Sequence, residues 1–165
     1  MPGERRTAGF HVLVSVIMGT ASGARNPVDE RQVREANNIF YQAMQSLDLA
    51  RMENAWWHED WVLCLHPGWG LIIGWDKIKE SWAGIFRSTV QLQVTISEPR
   101  ICVVGDAAWV SCTEQVTSMM ETDFMTARVE ATNIFVRQKG RWRMVHHHTT
   151  PLPDRVISGM THSVQ

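Results

Sequence analysis

Apolar residues recur at helical spacing in the first half of the chain and at alternate positions in the second half. Asn26 and Pro27 begin the first helix, because Asn caps a helix and Pro is tolerated in its first turn. Asp48 offers a similar cap for a short second helix, and Gly74 leads into a third. The apolar stripes of the predicted helices are Val33, Ala36, Phe40, Ala43, Met44 and Leu47; Leu49, Met52 and Trp56; and Ile78, Trp82, Ile85 and Phe86.

Strand-like runs follow from Val90 onward, and two of their junctions carry tight turns, Gly105-Asp106 and Lys139-Gly140. Two shorter apolar runs come before the third helix. Helices first and antiparallel strands afterwards are typical of an α+β fold, with helices packed on one face of a curved sheet. The predicted strands cover residues 61–66, 71–73, 91–96, 100–104, 107–116, 124–137 and 141–150.

The last hairpin determines which side chains share a face. With Lys139-Gly140 as the turn, Phe135 lies opposite Met144 and Asn133 lies opposite His146. Both faces carry apolar residues, so the sheet must be covered twice, by helices on one side and by a second subunit on the other. The two predicted faces are Asn133, Phe135, Trp142, Met144, His146 and His148, and Ile134, Val136, Val145 and His147.

Composition indicates a globular chain, with 165 residues, 44% apolar and 20% charged. A net charge of −1 gives no electrostatic reason to expect nucleic acid or an anionic membrane as a partner. Eight tryptophans and one tyrosine suggest either a wide apolar interior or simply a Trp-rich core. Three cysteines without a recognisable spacing favour free thiols in a reducing, cytoplasmic compartment, with Cys102 facing Trp109 across its hairpin.

The N-terminal segment, residues 1–25, allows three interpretations. Arg5 and Arg6 precede an apolar run over residues 10–18 and then small residues, which is the pattern of a secretory signal and would make the protein secreted. Alternatively, the true start is Met18, or the segment is an arm that packs on the domain. The predicted divisions are this segment, one domain over residues 26–151 and a C-terminal tail over residues 152–165.

Three motifs occur in order along the domain. They are Cys64-Leu-His-Pro-Gly68 with Gly74-Trp-Asp-Lys-Ile78 and Ser81-Trp82, then Val104-Gly-Asp-Ala-Ala-Trp-Val110, and then Ala131-Thr-Asn-Ile-Phe135 with Trp142-Arg-Met-Val-His-His-His148. Together with the element order, they resemble the SnoaL-like branch of the nuclear transport factor two-like superfamily, over roughly residues 26–151. The last motif is also similar to the end of the association domain of calcium/calmodulin-dependent kinase II.

The resemblance implies a cone-shaped sheet wrapped around three helices, with a pocket at the wide end and a homodimer through the outer face of the sheet. It implies no single activity. Relatives include ketosteroid isomerase, scytalone dehydratase, epoxide hydrolases and polyketide cyclases, and also non-catalytic transport and association domains. Because one fold hosts so many functions, the function has to be argued from the site.

His146 and His148 are the candidate catalytic residues. In the register above, both face the concave side near Asn133, and His66 ends a strand just before a Gly-rich loop. An imidazole titrates near neutral pH and can act as a general acid or base. The competing interpretation is that each histidine bonds backbone or carboxylate groups and only closes the core. His147 faces the other way and is assigned to an interface.

Aromatic side chains are candidates for the wall of an apolar pocket. Trp69 follows a glycine in a loop and is the best exposed candidate, whereas Trp82 is assigned to the core face of its helix. The predicted ligand-binding set is Asn133, His66, Trp69, Trp109, Phe135 and Glu114.

Carboxylates are the proton shuttles that the resemblance implies. The parity of Glu114 leaves both an inward and a solvent-facing orientation open, and the second is favoured. Glu130 shares a face with His147, away from the predicted pocket. The tyrosine–aspartate pair of a ketosteroid isomerase is missing, since Tyr41 lies on the first helix, and no aspartate–arginine–aspartate trio for epoxide opening is evident.

A metal site is a competing interpretation of the same histidines. His146 and His148 would share one face, and His66 would add a third ligand of a tetrahedral zinc ion. No Asp or Glu is placed to orient these imidazoles, and the relatives named above generally work without metal. We therefore predict no metal and no cofactor.

Two functions remain as hypotheses. The first is a domain that binds a small hydrophobic molecule, with acid–base catalysis of an isomerase, lyase or hydrolase type. The second is a non-catalytic dimerisation or association module whose pocket is structural.

Overall fold

The computed structural model describes residues 26–153 as three helices and a six-stranded sheet. The three predicted interpretations of residues 1–25, and the tail from residue 154 onward, concern parts of the chain outside this range. The elements are α1 (Pro27–Gln45), α2 (Leu49–Ala55), β1 (Leu63–Leu65), β2 (Ile72–Ile73), α3 (Trp75–Ser88), β3 (Gln91–Val104), β4 (Ala107–Met119), β5 (Phe124–Gln138) and β6 (Arg141–Pro151).

The helices begin where the sequence predicts. Asn26 caps α1, since its side-chain oxygen accepts from the Val28 backbone N–H at 3.0 Å. Asp48 caps α2 in the same way, accepting from the Arg51 N–H at 3.1 Å. Gly74 precedes α3 with φ of +90°, a conformation that glycine adopts without the strain of a side chain.

The sheet is curved, unclosed and mostly antiparallel, with strand order β2-β1-β6-β5-β4-β3. Only β1 and β6 run parallel to each other. The predicted α+β plan is confirmed, with the helices packed on one face of the sheet, here called the inner face. The two strands predicted over residues 91–96 and 100–104 are one strand, β3, with a register shift between Ser97 and Arg100. No helix within residues 26–153 is long and apolar enough to cross a bilayer.

The predicted register of the last hairpin is wrong beyond Met144. Phe135 pairs with Met144 as predicted, but Ile134 pairs with His146, which leaves Val145 as an extra residue in β6. A bulge of this kind reverses the alternation of every residue after it. His147 therefore lies opposite Asn133.

The bulge lies where another segment bonds to β6. The Trp57 N–H donates to the Met144 carbonyl at 2.9 Å, and Trp56 forms a parallel bridge with Met144. These contacts occupy β6 next to Val145, beside the place where the ladder with β5 is interrupted. With Val145 as the extra residue, His147 turns to the inner face, whereas His146 and His148 turn to the opposite one.

The outer face of the sheet, opposite the helices, carries an apolar row. Trp109 is 41% exposed there and Ile73 is 51% exposed. The prediction that both faces carry apolar residues is therefore confirmed. The outer row, in register across all six strands, consists of Ile73, Leu63, His146, Ile134, Trp109 and Cys102.

Candidate functional site

Six polar side chains meet beneath the inner face, and we call them the interior polar cluster. The helix α1 contributes two of them, one turn apart on its buried stripe, and β4 contributes two at alternate positions. The remaining two come from the paired positions on β5 and β6. The cluster consists of Asn37, Tyr41, Cys112, Glu114, Asn133 and His147, each no more than 4% exposed.

A continuous chain of hydrogen bonds joins the cluster. Tyr41 Oη donates to Glu114 Oε1 at 2.5 Å. Asn133 Nδ2 donates to Tyr41 Oη at 3.0 Å and to Asn37 Oδ1 at 2.9 Å. His147 Nδ1 lies 2.6 Å from Asn133 Oδ1. Because an amide oxygen only accepts, His147 must carry its proton on Nδ1.

Burial sets the charges in the cluster. It raises the pKa of Glu114 to about 7, although the bond from Tyr41 pulls the other way. The pKa of Tyr41 is raised well above its usual range by burial and by the Glu114 charge, so the phenol keeps its proton. Burial and the neighbouring histidines lower the pKa of His147 well below 6.5, so this imidazole is neutral. Glu114 is thus the group in the cluster that exchanges a proton near neutral pH.

The strand partner of Glu114 on β5 is more deeply buried than its partner on β3. Val129, its partner on β5, is fully buried. Ile96, its partner on β3, is only half-buried, and so is Val116, the next inward-facing residue of β4. The strand neighbours of Glu114 are therefore apolar, and they are less buried on the β3 side than on the β5 side.

His66 lies on the same inner side, but its hydrogen-bond and ring partners are not members of the interior polar cluster. Its Nε2 is 2.9 Å from Ser81 Oγ, and Ser81 already donates to the Ile78 carbonyl at 2.7 Å. His66 must therefore be the donor to Ser81. Burial lowers the pKa of His66 to about 4, and its ring meets Trp82 edge-on at 4.6 Å. Trp69, 52% exposed, lies beside it with ring centroids 5.1 Å apart.

The predicted inward orientation of His146 and His148 is wrong. His148 is exposed and His146 half-exposed, both on the outer face, because the bulge at Val145 reversed their parity. They cannot reach a molecule beneath the inner face. Trp109, predicted to line the pocket, is also on the outer face, since Ala108 and Val110 on either side of it are the inward residues of β4.

The three-histidine zinc site is wrong for the same reason. His66 lies on the inner side, and His146 and His148 lie on the outer side, so the three imidazoles cannot converge. Across residues 26–153, no set of three or more His, Cys, Asp or Glu side chains is arranged to hold a metal ion.

Asn133 and Phe135 face inward as predicted, and both are fully buried. Glu114 takes the inward orientation, not the solvent-facing one that we favoured. The sequence held a signal for this, because Ala108, Val110, Cys112 and Glu114 continue one alternation without a break.

The pairing of Tyr41 with a carboxylate is the feature that the sequence interpretation missed. Tyr41 lies on the first helix, as noted, and that position is what brings it to Glu114. The signal was Asn37, a polar residue within the apolar stripe of α1, one turn before Tyr41 and one turn after Val33. A polar residue in that position indicates a buried partner.

The comparisons with known proteins agree with this architecture. The sequence model of the SnoaL-like domain family matches residues 33–153. The F-box protein SKIP8 of Arabidopsis thaliana is 27% identical over 120 residues, which are 73% of this chain and 49% of that protein. The chain thus spans about half the length of the curated relative that it matches.

Two solved structures add to this. An NTF2-like family protein from Streptomyces avermitilis, for which a dehydratase activity has been suggested, is 30% identical, with 76% of this chain and 97% of that chain covered and a TM-score of 0.69. A protein from Thiobacillus denitrificans, suggested to be a calcium/calmodulin-dependent protein kinase type II association domain, has the same fold at 24% identity, covering 72% and 93% of the two chains with a TM-score of 0.64. The element order and these matches lead to one conclusion: the chain belongs to the SnoaL-like domain family, within the nuclear transport factor two-like superfamily.

Proposed function

We propose that the domain binds a small hydrophobic molecule inside its cone and that Glu114 transfers a proton on it, in an isomerase or lyase reaction. The observation that carries this proposal is the Tyr41–Glu114 pair, 2.5 Å apart and buried in apolar surroundings, with the pKa of Glu114 at about 7. At that pKa both the acid and its conjugate base are present at neutral pH, which suits a group that takes and returns a proton.

Stability does not explain the pair. A buried carboxyl costs folding free energy even when it is hydrogen-bonded, and well-packed apolar residues often stabilise a core more. Groups with strongly shifted pKa values concentrate at functional sites. The half-buried Ile96 and Val116 beside Glu114 offer an apolar approach to it from the β3 side.

The other members of the cluster have positioning roles. Asn133 donates to Tyr41 Oη, and His147 in turn holds the Asn133 oxygen, so the phenol hydroxyl is aimed at Glu114. Because the phenol keeps its proton, Tyr41 is a donor that can move from the carboxylate to an oxyanion on the ligand.

The proposed step is proton abstraction next to a carbonyl. The Glu114 carboxylate takes the proton from the α-carbon, and the electron pair of the C–H bond forms an enolate whose oxygen accepts from Tyr41. Return of the proton from Glu114 to another carbon gives an isomerase. If the enolate instead expels a β-hydroxyl, Glu114 returns the proton to that oxygen, which leaves as water, and the reaction is that of a lyase. The suggested dehydratase activity of the Streptomyces avermitilis protein supports the second form.

A general probe tests this chemistry without the natural substrate. We expect the protein to catalyse exchange of the α-protons of 1-tetralone for deuterium, followed by proton NMR in D₂O, with a rate that rises through pH 7 as Glu114 ionises. Glu114→Gln is expected to lower the rate at least about 100-fold, because removing a general base costs about 10²–10⁴ in rate.

Glu130→Gln is the matched control, since Glu130 is exposed on the outer face and bonded to Thr113. It is expected to keep the wild-type rate. Equal exchange rates for Glu114→Gln and the wild type would contradict the proposal.

A homodimer through the outer face is the second proposal, and it is compatible either with catalysis or with a purely associative role. It is supported by the apolar row that crosses all six strands, with Ile73 and Trp109 about half-exposed. A contiguous apolar patch of this kind marks an interaction surface. The association-domain name of the Thiobacillus denitrificans protein favours the same assignment.

Trp109→Glu tests the dimer. It places a charge on the outer row, and in an isologous interface each substitution is present twice. We expect the wild type to sediment as a dimer and Trp109→Glu as a monomer with unchanged far-ultraviolet circular dichroism. Arg34→Glu, on the exposed side of α1, is the control and should remain a dimer. A dimeric Trp109→Glu variant would exclude this surface.

A further inference from the structure

His146 and His148 are left without a role by the interior site, yet they form a pair with defined geometry. They stand two residues apart on β6, which puts both imidazoles on the outer face, with ring centroids 5.8 Å apart. Nδ1 of His146 is buried and has no hydrogen-bond partner within residues 26–153. Imidazole nitrogens bind zinc at about 2.0–2.1 Å.

The side chains paired with the two histidines are uncharged. The positions paired with His146 are Leu63 and Ile134, and those paired with His148 are Leu65 and Thr132. None of these four side chains carries a charge. The two imidazoles are therefore the side chains at this place that zinc prefers as ligands.

Other ionisable groups on the outer face include residues of three strands. Glu130 on β5 lies opposite Thr150, one outward position beyond His148, and is held by Thr113 at 2.8 Å. Arg143 lies on β6 before the bulge, and Arg100 on β3 pairs with Ser111. Within residues 26–153, no other histidine and no carboxylate is paired directly with His146 or His148. This part of one protomer therefore supplies two ligands.

The position of the pair shows how the set could be completed. β6 and β5 are the third and fourth of six strands, so His146 and His148 lie near the centre of the outer face. In an isologous dimer, residues near the two-fold axis meet their own copies. Two protomers that pack through the centre of this face would bring four imidazoles together, which is a complete tetrahedral set for zinc.

We propose that His146 and His148 form half of a zinc site that is completed by the same two residues of a second copy, so that the ion bridges the dimer. This inference rests on the outer-face dimer proposed above. An all-imidazole set suits Zn²⁺ and its neighbours Cu²⁺ and Ni²⁺, whereas Mg²⁺ and Ca²⁺ require oxygen ligands.

The test uses ZnCl₂ with the full chain after EDTA treatment and dialysis. Isothermal titration should give one zinc ion per two chains, and sedimentation should show a dimer that zinc stabilises against dilution. His146→Ala and His148→Ala are each expected to weaken zinc binding at least about tenfold. His58→Ala removes another exposed histidine, one that bonds the Glu53 carbonyl, and should bind zinc as the wild type does.

Replacement of zinc by Co²⁺ gives an independent readout, because tetrahedral cobalt has a characteristic strong visible absorption that the His148→Ala variant should lose. Wild-type zinc affinity in both outer-face variants, or binding at one ion per chain without effect on assembly, would overturn the zinc bridge. If the metal-free protein is a dimer that does not take up zinc, only this inference fails. If it is a monomer with or without zinc, the dimer proposal fails as well.

Discussion

Replacing Asn133 with alanine is expected to lower the free energy of unfolding by about 4 kcal/mol, a large part of the stability of a domain this size. Asn133 is fully buried and connects three partners: Tyr41 and Asn37 accept from its amide nitrogen, and His147 donates to its oxygen. Alanine leaves those groups unpaired in the core and also opens a small cavity.

Urea unfolding followed by tryptophan fluorescence measures this change. Asn38→Ala removes an asparagine one residue from the buried Asn37, on the exposed side of α1, and should stay within about 0.5 kcal/mol of the wild type. Similar losses in Asn133→Ala and Asn38→Ala would mean that the interior polar cluster contributes little to the fold. Should Asn133→Ala not fold at all, Asn37→Ala removes only one acceptor and is expected to cost about 1–2 kcal/mol.

Replacing Glu114 with glutamine is expected to make the protein progressively more stable than the wild type as the pH rises from 4.5 to 7. Below pH 4.5 the carboxyl is protonated in both the folded and unfolded states. Above it, the unfolded chain ionises while the folded chain holds its proton up to a pKa of about 7. The wild type therefore loses about 3 kcal/mol of stability across this window, and the glutamine variant does not share that loss.

The quantity to measure is the difference in unfolding free energy between Glu114→Gln and the wild type at each pH. His66 and His147 affect stability with the opposite sign, because burial lowers their pKa values below 6.5 in the folded state. The stability that each neutral imidazole contributes is lost as the pH falls from 6.5 towards its lowered pKa. Both histidines are present in the two proteins, so their effects cancel in the difference. A difference that stays flat from pH 4 to pH 8 would show that Glu114 is not a buried acid.

These two experiments separate structure from function in the cluster. Asn133 holds the network together, so its loss should appear chiefly as instability. Glu114 costs stability at neutral pH, so a variant that is more stable but no longer catalyses proton exchange would identify a group retained for chemistry.

Most of the secondary structure could be predicted because it depends on local periodicity. The stripe from Val33 to Met44, the caps at Asn26 and Asp48, and the alternation along β4 are patterns that neighbouring residues impose on one another. The family motifs added the expectation of a curved sheet wrapped around the three helices. The assignment of Trp82 to the core also followed from its place on the helix stripe.

The site could be predicted only in part. Asn133 and Phe135 lie on β5, whose own alternation is unbroken because the extra residue of the bulge, Val145, lies in β6, and their inward orientation followed from parity. The pairing of Tyr41 with Glu114 spans 73 positions along the chain, and no local pattern states which residue of β4 a helix residue will meet. The sequence interpretation therefore treated the tyrosine and the carboxylate separately and missed the pair.

By itself, the sequence determined the helices, the strands, the apolar inner face and the membership of Asn133 in the core, because each depends on spacing along one element. Only the tertiary structure decided which of the three consecutive histidines faces inward. That choice depends on a single extra residue, Val145, at the point where Trp57 bonds to the Met144 carbonyl. This extra residue reverses the parity of the strand after it, and parity is what places His147 in the core and leaves His146 and His148 for the outer face.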